Sequence, residues 1–288
     1  MKRFAVTTAP AMAAILLGLT ACQPVKPSAE AAAAAELRAR GYSRVPEVTS
    51  VIQEGEVFVV FGQATQRGRV NLIYSGTNAA GQSVRSYLGD EADKTGQFRV
   101  PEVPIGVNGG LYDLTVDSER DRDAETATSQ APDSVQIDQR GRTMRAEGRL
   151  FVPRGRPDKA AMLLPGGAAR SLSKEKLILA AADYDSTGGI AVAGHVAPTT
   201  TVNLVVSGII IGRSQSDDQG RYQVTGQIAA PGELETGLEI EIETDKQSEK
   251  RTIPVSLPAP GDRITPVDGA WRVDWTLPGG GVQTTIVF

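Results

Sequence analysis

Cys22 is the only cysteine in a chain of 288 residues. A lone thiol makes no intrachain disulfide and no thiolate cluster for a metal; it can act as a single nucleophile. His195 is the only histidine, so a catalytic triad or a histidine-held metal would have to use it. It follows Gly194 at the end of an apolar run, which suits a polar surface position. Asp217-Asp218-Gln219-Gly220 offers oxygens to a hard cation, and Asp183 and Asp185 lie upstream, but the alternating acids and closing Glu of a calcium loop are missing. The pattern reads as turn chemistry, with an Asp oxygen accepting from backbone N–H groups. Gly279-Gly280-Gly281 has the glycines of a phosphate cradle, yet Val282 to Phe288 follows as a strand, so the run reads as a hairpin turn. Trp271-Arg272-Val273-Asp274-Trp275 puts both rings and Val273 on one strand face and the two charges on the other. That apolar face either packs into a core, with the charged face wet, or stands open as a platform for a sugar ring. No residue set in the sequence makes a catalytic centre or a metal site, and no cofactor is expected. A carboxylate-based hydrolase would need two acids converging in a cleft, about 5–10 Å apart.

The elements that position these residues repeat along the chain. Gly62 to Gly76 aligns with Gly194 to Gly208 without a gap, sharing Val-Asn-Leu and Ser-Gly. Phe58 and Val60 match Ile190 and Val192 upstream. Asp93 to Val100 matches Asp217 to Val224 downstream, and Leu111, Leu114 and Val116 find counterparts around Leu238, Ile240 and Ile242. Leu164-Pro165-Gly166-Gly167 is echoed by Leu277-Pro278-Gly279-Gly280. The local period is two: Glu239-Ile240-Glu241-Ile242-Glu243 alternates strictly, which makes a half-buried strand. Gly62 and Gly194 fall inside strands, where a missing side chain marks a bulge or a close crossing. Asp93-x-x-Gly96 and Asp217-x-x-Gly220 are turns, after which Phe98 or Tyr222 leads the next strand into the core. Residues 175–182 fit a short helix or a strand, and their position in the repeat favours a strand. Residues 118–132 are charged and nearly free of large apolar groups, a long loop. Arg120, Arg122, Arg140, Arg142 and Arg145 are scattered among acids and read as solvated surface.

At the N-terminus Lys2 and Arg3 precede an apolar run from Ala11 to Leu19. A membrane-spanning helix needs about 20 apolar residues; this shorter run fits the h-region of a secretory signal. Leu19-Thr20-Ala21-Cys22 resembles the lipobox of bacterial lipoproteins, in which the cysteine is lipidated and becomes the new N-terminus. That resemblance implies lipidation of Cys22 and stable anchoring by several acyl chains. Gln23, where Asp would favour retention at the inner membrane, implies the outer membrane. Residues 23–48 read as a semi-ordered spacer with one marginal helix near Ala31 to Arg38. The formal charge is -4, and losing Lys2 and Arg3 makes the mature chain more acidic, so nothing electrostatic favours nucleic acid.

An apolar strand ending in Gly, then Val-x-Leu, then Asp-x-x-Gly-x-[Phe/Tyr]-x-Val is similar to bacterial Ig-like and carboxypeptidase-regulatory-like modules. The resemblance implies tandem sandwiches and brings no catalytic residue with it. The expectation is therefore all-β: two antiparallel Ig-like β-sandwich modules in tandem, residues 49–165 and 183–288, with a linker at 166–182. A signal peptide (1–21) and a lipidated tether (22–48) precede them. Such a chain would be a non-enzymatic structural, adhesive or adaptor lipoprotein on the outer membrane, contacting an envelope protein or glycan. The alternative is glycan or peptidoglycan binding on Trp271 and Trp275.

Overall fold

The period-two pattern becomes strands throughout. The computed structural model describes residues 44–55, 57–77, 83–117, 143–234 and 237–288. Cys22, the signal segment, residues 118–132, Arg120, Arg122, Arg140 and Arg142 lie outside them. The first half forms β1 (Glu47–Glu54), β2 (Val57–Gln63), β3 (Arg69–Thr77), β4 (Ser83–Glu91), β5 (Gln97–Val103), β6 (Gly109–Asp117), β7 (Thr143–Pro153), β8 (Ala161–Leu163) and β9 (Arg170–Ser171). The second forms β10 (Ala181–Asp185), β11 (Gly189–His195), β12 (Thr201–Val206), β13 (Ile209–Gln215), β14 (Arg221–Gln227), β15 (Leu238–Glu243), β16 (Ser248–Ile253), β17 (Arg263–Val267), β18 (Ala270–Thr276) and β19 (Val282–Val287). Among the described residues the only helical pieces are two single 3-10 turns, Pro157–Lys159 and Pro231–Glu233, and no helix is long and apolar enough to cross a membrane.

Both halves are antiparallel sandwiches built alike. In the first, sheet β1-β2-β5 faces sheet β4-β3-β6-β7-β8-β9; in the second, β14-β11-β10-β19-β18-β17 faces β13-β12-β15-β16. The repeat is thus structural: β1, β2 and β5 correspond to β10, β11 and β14, and β4-β3-β6-β7 to β13-β12-β15-β16. Pairing corrects one alignment. Leu72 lies opposite Leu114, and its counterpart Leu204 lies opposite Ile242. Leu114 therefore corresponds to Ile242, and Tyr112 to Ile240. Leu111 points to the opposite face of its sheet, so it has no place in this core alignment. The strand bias expected for 175–182 holds only for Ala181 and Ala182. Residues 174–180 form no ladder, and Leu177 O and Ala180 N instead bond His195 N and Ala193 O individually.

Each sandwich closes over its own core. Val60, Leu72, Phe98, Val100 and Leu114 are among the side chains filling the first, and Val192, Leu204, Val224, Ile240 and Ile286 among those filling the second. Burial of such side chains contributes roughly 1.5–3 kcal/mol each, the main stabilising term in a body without disulfides. A third core lies between the sandwiches. Leu111, Phe151 and Leu163, on the outer face of β6, β7 and β8, meet Val273, Trp275 and Val287, on the outer face of β18 and β19. These six are at most 2% exposed. Period two explains the double service: Leu150 and Val152 turn into the first core while Phe151 between them turns into the third.

Three Asp turns fix the corners. Asp93 Oδ1 accepts from the N–H groups of Thr95 (2.7 Å) and Gln97 (3.0 Å). Asp217 Oδ1 accepts from Gln219 (2.8 Å) and Arg221 (2.9 Å) in the same way. Gly96 and Gly220 follow with φ of 83° and 82°, a region glycine enters without a Cβ clash. Asp185 repeats the device with Thr187 and Gly189. The strand glycines are close crossings: a Cβ on Gly194 would sit 1.9 Å from Ile178 O, and one on Gly62 would sit 2.2 Å from Glu47 O.

Candidate functional site

The residues with unusual environments gather where the two sandwiches meet. The loop from Leu164 to Ala169, between β8 and β9 of the first sandwich, crosses the outer face of β10, β11 and β19. Ala168 and Ala169 are buried there while Pro165 and Gly166 stay exposed, and side chains from the second sandwich bond the loop's backbone. Gln283 Oε1 accepts from Gly166 N at 2.9 Å, and Gln283 Nε2 donates to Leu164 O at 3.1 Å and Gly167 O at 3.2 Å. Asp183 Oδ2 accepts from Ala169 N at 2.7 Å. Asp183 Oδ1 accepts from Gln283 Nε2 at 2.9 Å and from the Thr285 hydroxyl, which in turn accepts from Trp275 Nε1 at 3.1 Å.

Asp183 is 2% exposed. Burial pushes its carboxyl up to about 7, against the hydrogen bonds from Thr285, Ala169 and Gln283, which pull it down. Asp185, two residues along the same strand, behaves oppositely. Burial pushes it up, but the Thr187 hydroxyl and the N–H groups of Thr187 and Gly189 outweigh that and hold it below the usual range. Both acids line a small cavity of about 160 Å³ with Gln283 and Thr225. A pair with separated pKa values is what acid–base catalysis uses. Here, however, Asp183 is sealed with both oxygens bonded, and Asp185 is committed to the same kind of turn as Asp93 and Asp217, so the pair serves the fold.

The tryptophan platform does not form. Trp275 is fully buried in the third core, and only Trp271 keeps partial exposure. Two rings cannot stack on a sugar when one is sealed between sandwiches. The charged face of that strand is also not wet. Asp274 is 2% exposed; it pairs with Arg272 at 2.9 Å and accepts from the Thr284 hydroxyl at 2.5 Å. Arg272 also bonds the Ser256 side chain and, at 3.1 Å, Leu257 O. The strand β18 is an inner strand of its sheet, covered by the first sandwich on one face and by the segment after β16 on the other. Both covers come from distant sequence.

His195 ends β11 and lines a cleft of about 500 Å³ between the segment Leu164 to Leu177 and the start of β14. Asp217 and Asp218 sit in their turn, where the N–H of Arg221, its guanidinium and the N–H of Gln219 hold Asp217 low. Among the described residues no three His, Cys, Asp or Glu side chains gather as a metal site. Gly279 to Gly281 form the β18–β19 turn, closed by Gly280 N to Leu277 O at 3.1 Å. Arg145 is exposed and pairs with Asp113 at 3.0 Å. The Asp183 cluster escaped sequence reading; its one signal was the polar run Gln283-Thr284-Thr285 inside an otherwise apolar strand.

The fold and this junction define an all-β protein of two sandwiches joined face to face. The chain matches no protein-family model and no curated protein. Among solved structures it is similar to one described as "Biofilm associated protein - BSP domain", at 16% identity and a TM-score of 0.20. That match covers 75% of this chain and 30% of the other, so the chain spans less than a third of that structure's length.

Proposed function

We propose that this is a lipid-anchored envelope protein whose two sandwiches act without catalysis, as a rigid adaptor or adhesive element. The observation that carries the reading is the third core. Sandwiches that hinge freely keep a polar interface; these bury Phe151, Leu163 and Trp275 between them and so transmit position from one end to the other. The core that the two modules share is three strands facing four, and the chain switches sheets after β2, β4 and β5 in the first module as it does after β11, β13 and β14 in the second, which supports the Ig-like reading. The lipobox-like Leu19 to Cys22 supports an anchor, and Gln23 the outer membrane. Asp183, which burial pushes up, and Asp185, which its turn holds low, are both occupied by structural hydrogen bonds, which supports a role without turnover.

Fractionation of cells expressing the chain tests the anchor. The natural chain is expected in the outer-membrane fraction with an acylated Cys22 at its mature N-terminus by mass spectrometry. Cys22→Ala is expected to leave that fraction. An unmodified leader on the purified natural chain would refute the anchor. Crosslinking in intact envelopes, followed by pull-down, is expected to recover a discrete envelope protein or glycan partner with the natural chain. Recovery of nothing beyond lipid would refute the adaptor role.

A further inference from the structure

We propose that the cleft beside His195 binds a small organic anion with an apolar body, of the class of a medium-chain carboxylate. This goes beyond the adaptor reading and does not depend on it. The cleft is lined by Ala168 and Ala169 from the crossing loop, Ala180 just ahead of β10, and Ala193 and Gly194 from β11. These small side chains leave about 500 Å³ open, within the range of small-molecule sites. Gly194 cannot be enlarged, because Ile178 O occupies the place of its Cβ.

Charge decides the kind of ligand. The rim carries Arg170, Lys174, Lys176, Arg221 and His195 against Glu175 and Asp217. Glu175 is taken by Lys159 at 2.8 Å, Asp217 by Arg221 at 2.8 Å, and Arg170 by Glu47 at 2.6 Å. Among the described residues Lys174 and Lys176 make no ion pair, and the His195 ring makes no hydrogen bond. Two uncompensated ammonium groups and an imidazole stand over an apolar floor. That arrangement attracts an anionic head and buries an alkyl or small cyclic body. The rim acids are already neutralised, so a cation finds no partner.

Octanoate titrated into the ¹⁵N-labelled Cys22→Ala chain, free of competing lipid, tests this. Saturable amide shifts are expected at residues 168–180, 193–195 and 221–223, with acetate and 1-octanol binding about tenfold more weakly or worse, since each lacks one half of the recognition. Lys174→Ala with Lys176→Ala, two changes on the rim, is expected to weaken octanoate about tenfold or more while leaving the melting temperature in place. Ala193→Leu is expected to abolish binding by filling the slot. No saturable binding, shifts centred elsewhere, 1-octanol binding as well as octanoate, or unchanged affinity in the double lysine variant would each overturn the proposal.

Discussion

Asp183 is held by three neutral partners, Thr285, Gln283 and the N–H of Ala169. Its folded pKa, about 7, lies above the roughly 3.9 of an unfolded aspartate. The native state therefore holds a proton that the unfolded chain has lost. The stability this contributes is fully present below the unfolded value and is lost as pH rises through about 7. The denaturation midpoint is expected to fall between pH 5 and pH 8, and Asp183→Asn to lose most of that slope; equal slopes would contradict the assignment. Trp275 is wired to the same carboxyl through Thr285, so its emission is expected to shift over the same pH window in the natural chain and to stay level in Asp183→Asn. At the acid end the sign reverses. Asp93, Asp185 and Asp217 are held low by their turns, so their contribution is present above the unfolded value and is lost as pH falls through their folded pKa values.

At the scale of the element, the strands and turns answer to local rules. The Ile-Glu alternation of β15, the Asp-x-x-Gly corners and the aromatic lead-in by Phe98 and Tyr222 were legible because each depends on a few consecutive residues. Gly62 and Gly194 were legible as a bulge or a close crossing; the structure makes both close crossings, by backbone the sequence did not point to. Gly194→Ala must push back the Ile178 carbonyl, and is expected to cost about 1–3 kcal/mol in chemical denaturation. Gly155→Asn is the contrast. Its φ is 70°, with nothing within 4 Å of an added Cβ, and Asn tolerates that conformation; its effect is expected to stay within about 0.5 kcal/mol. What the sequence hid was non-local. The apolar face of β18 was readable, but not its cover from β7 and β8 some hundred residues earlier, nor the lid over Arg272 and Asp274. Asp183 read only as an acid upstream of the Asp217 turn, because its burial depends on a loop of the other module lying across it.

At the scale of the whole molecule, the third core makes two similar sandwiches into one mechanical unit. Arg149 adds an ion pair to Asp262 at 2.7 Å, and Asn108 a hydrogen bond to Ile264 O at 3.0 Å, around the apolar centre. Trp275 dominates that centre, and Trp275→Ala is expected to cost about 3–5 kcal/mol. How that loss is distributed distinguishes a welded body from two beads on a string. Native-state hydrogen exchange on the Trp275→Ala chain reads it directly, strand by strand. The welded body predicts that the amides of β6 and β7 in the first sandwich lose protection together with those of β10 and β19 in the second. Loss confined to the second sandwich, with β6 and β7 exchanging as in the natural chain, would contradict it.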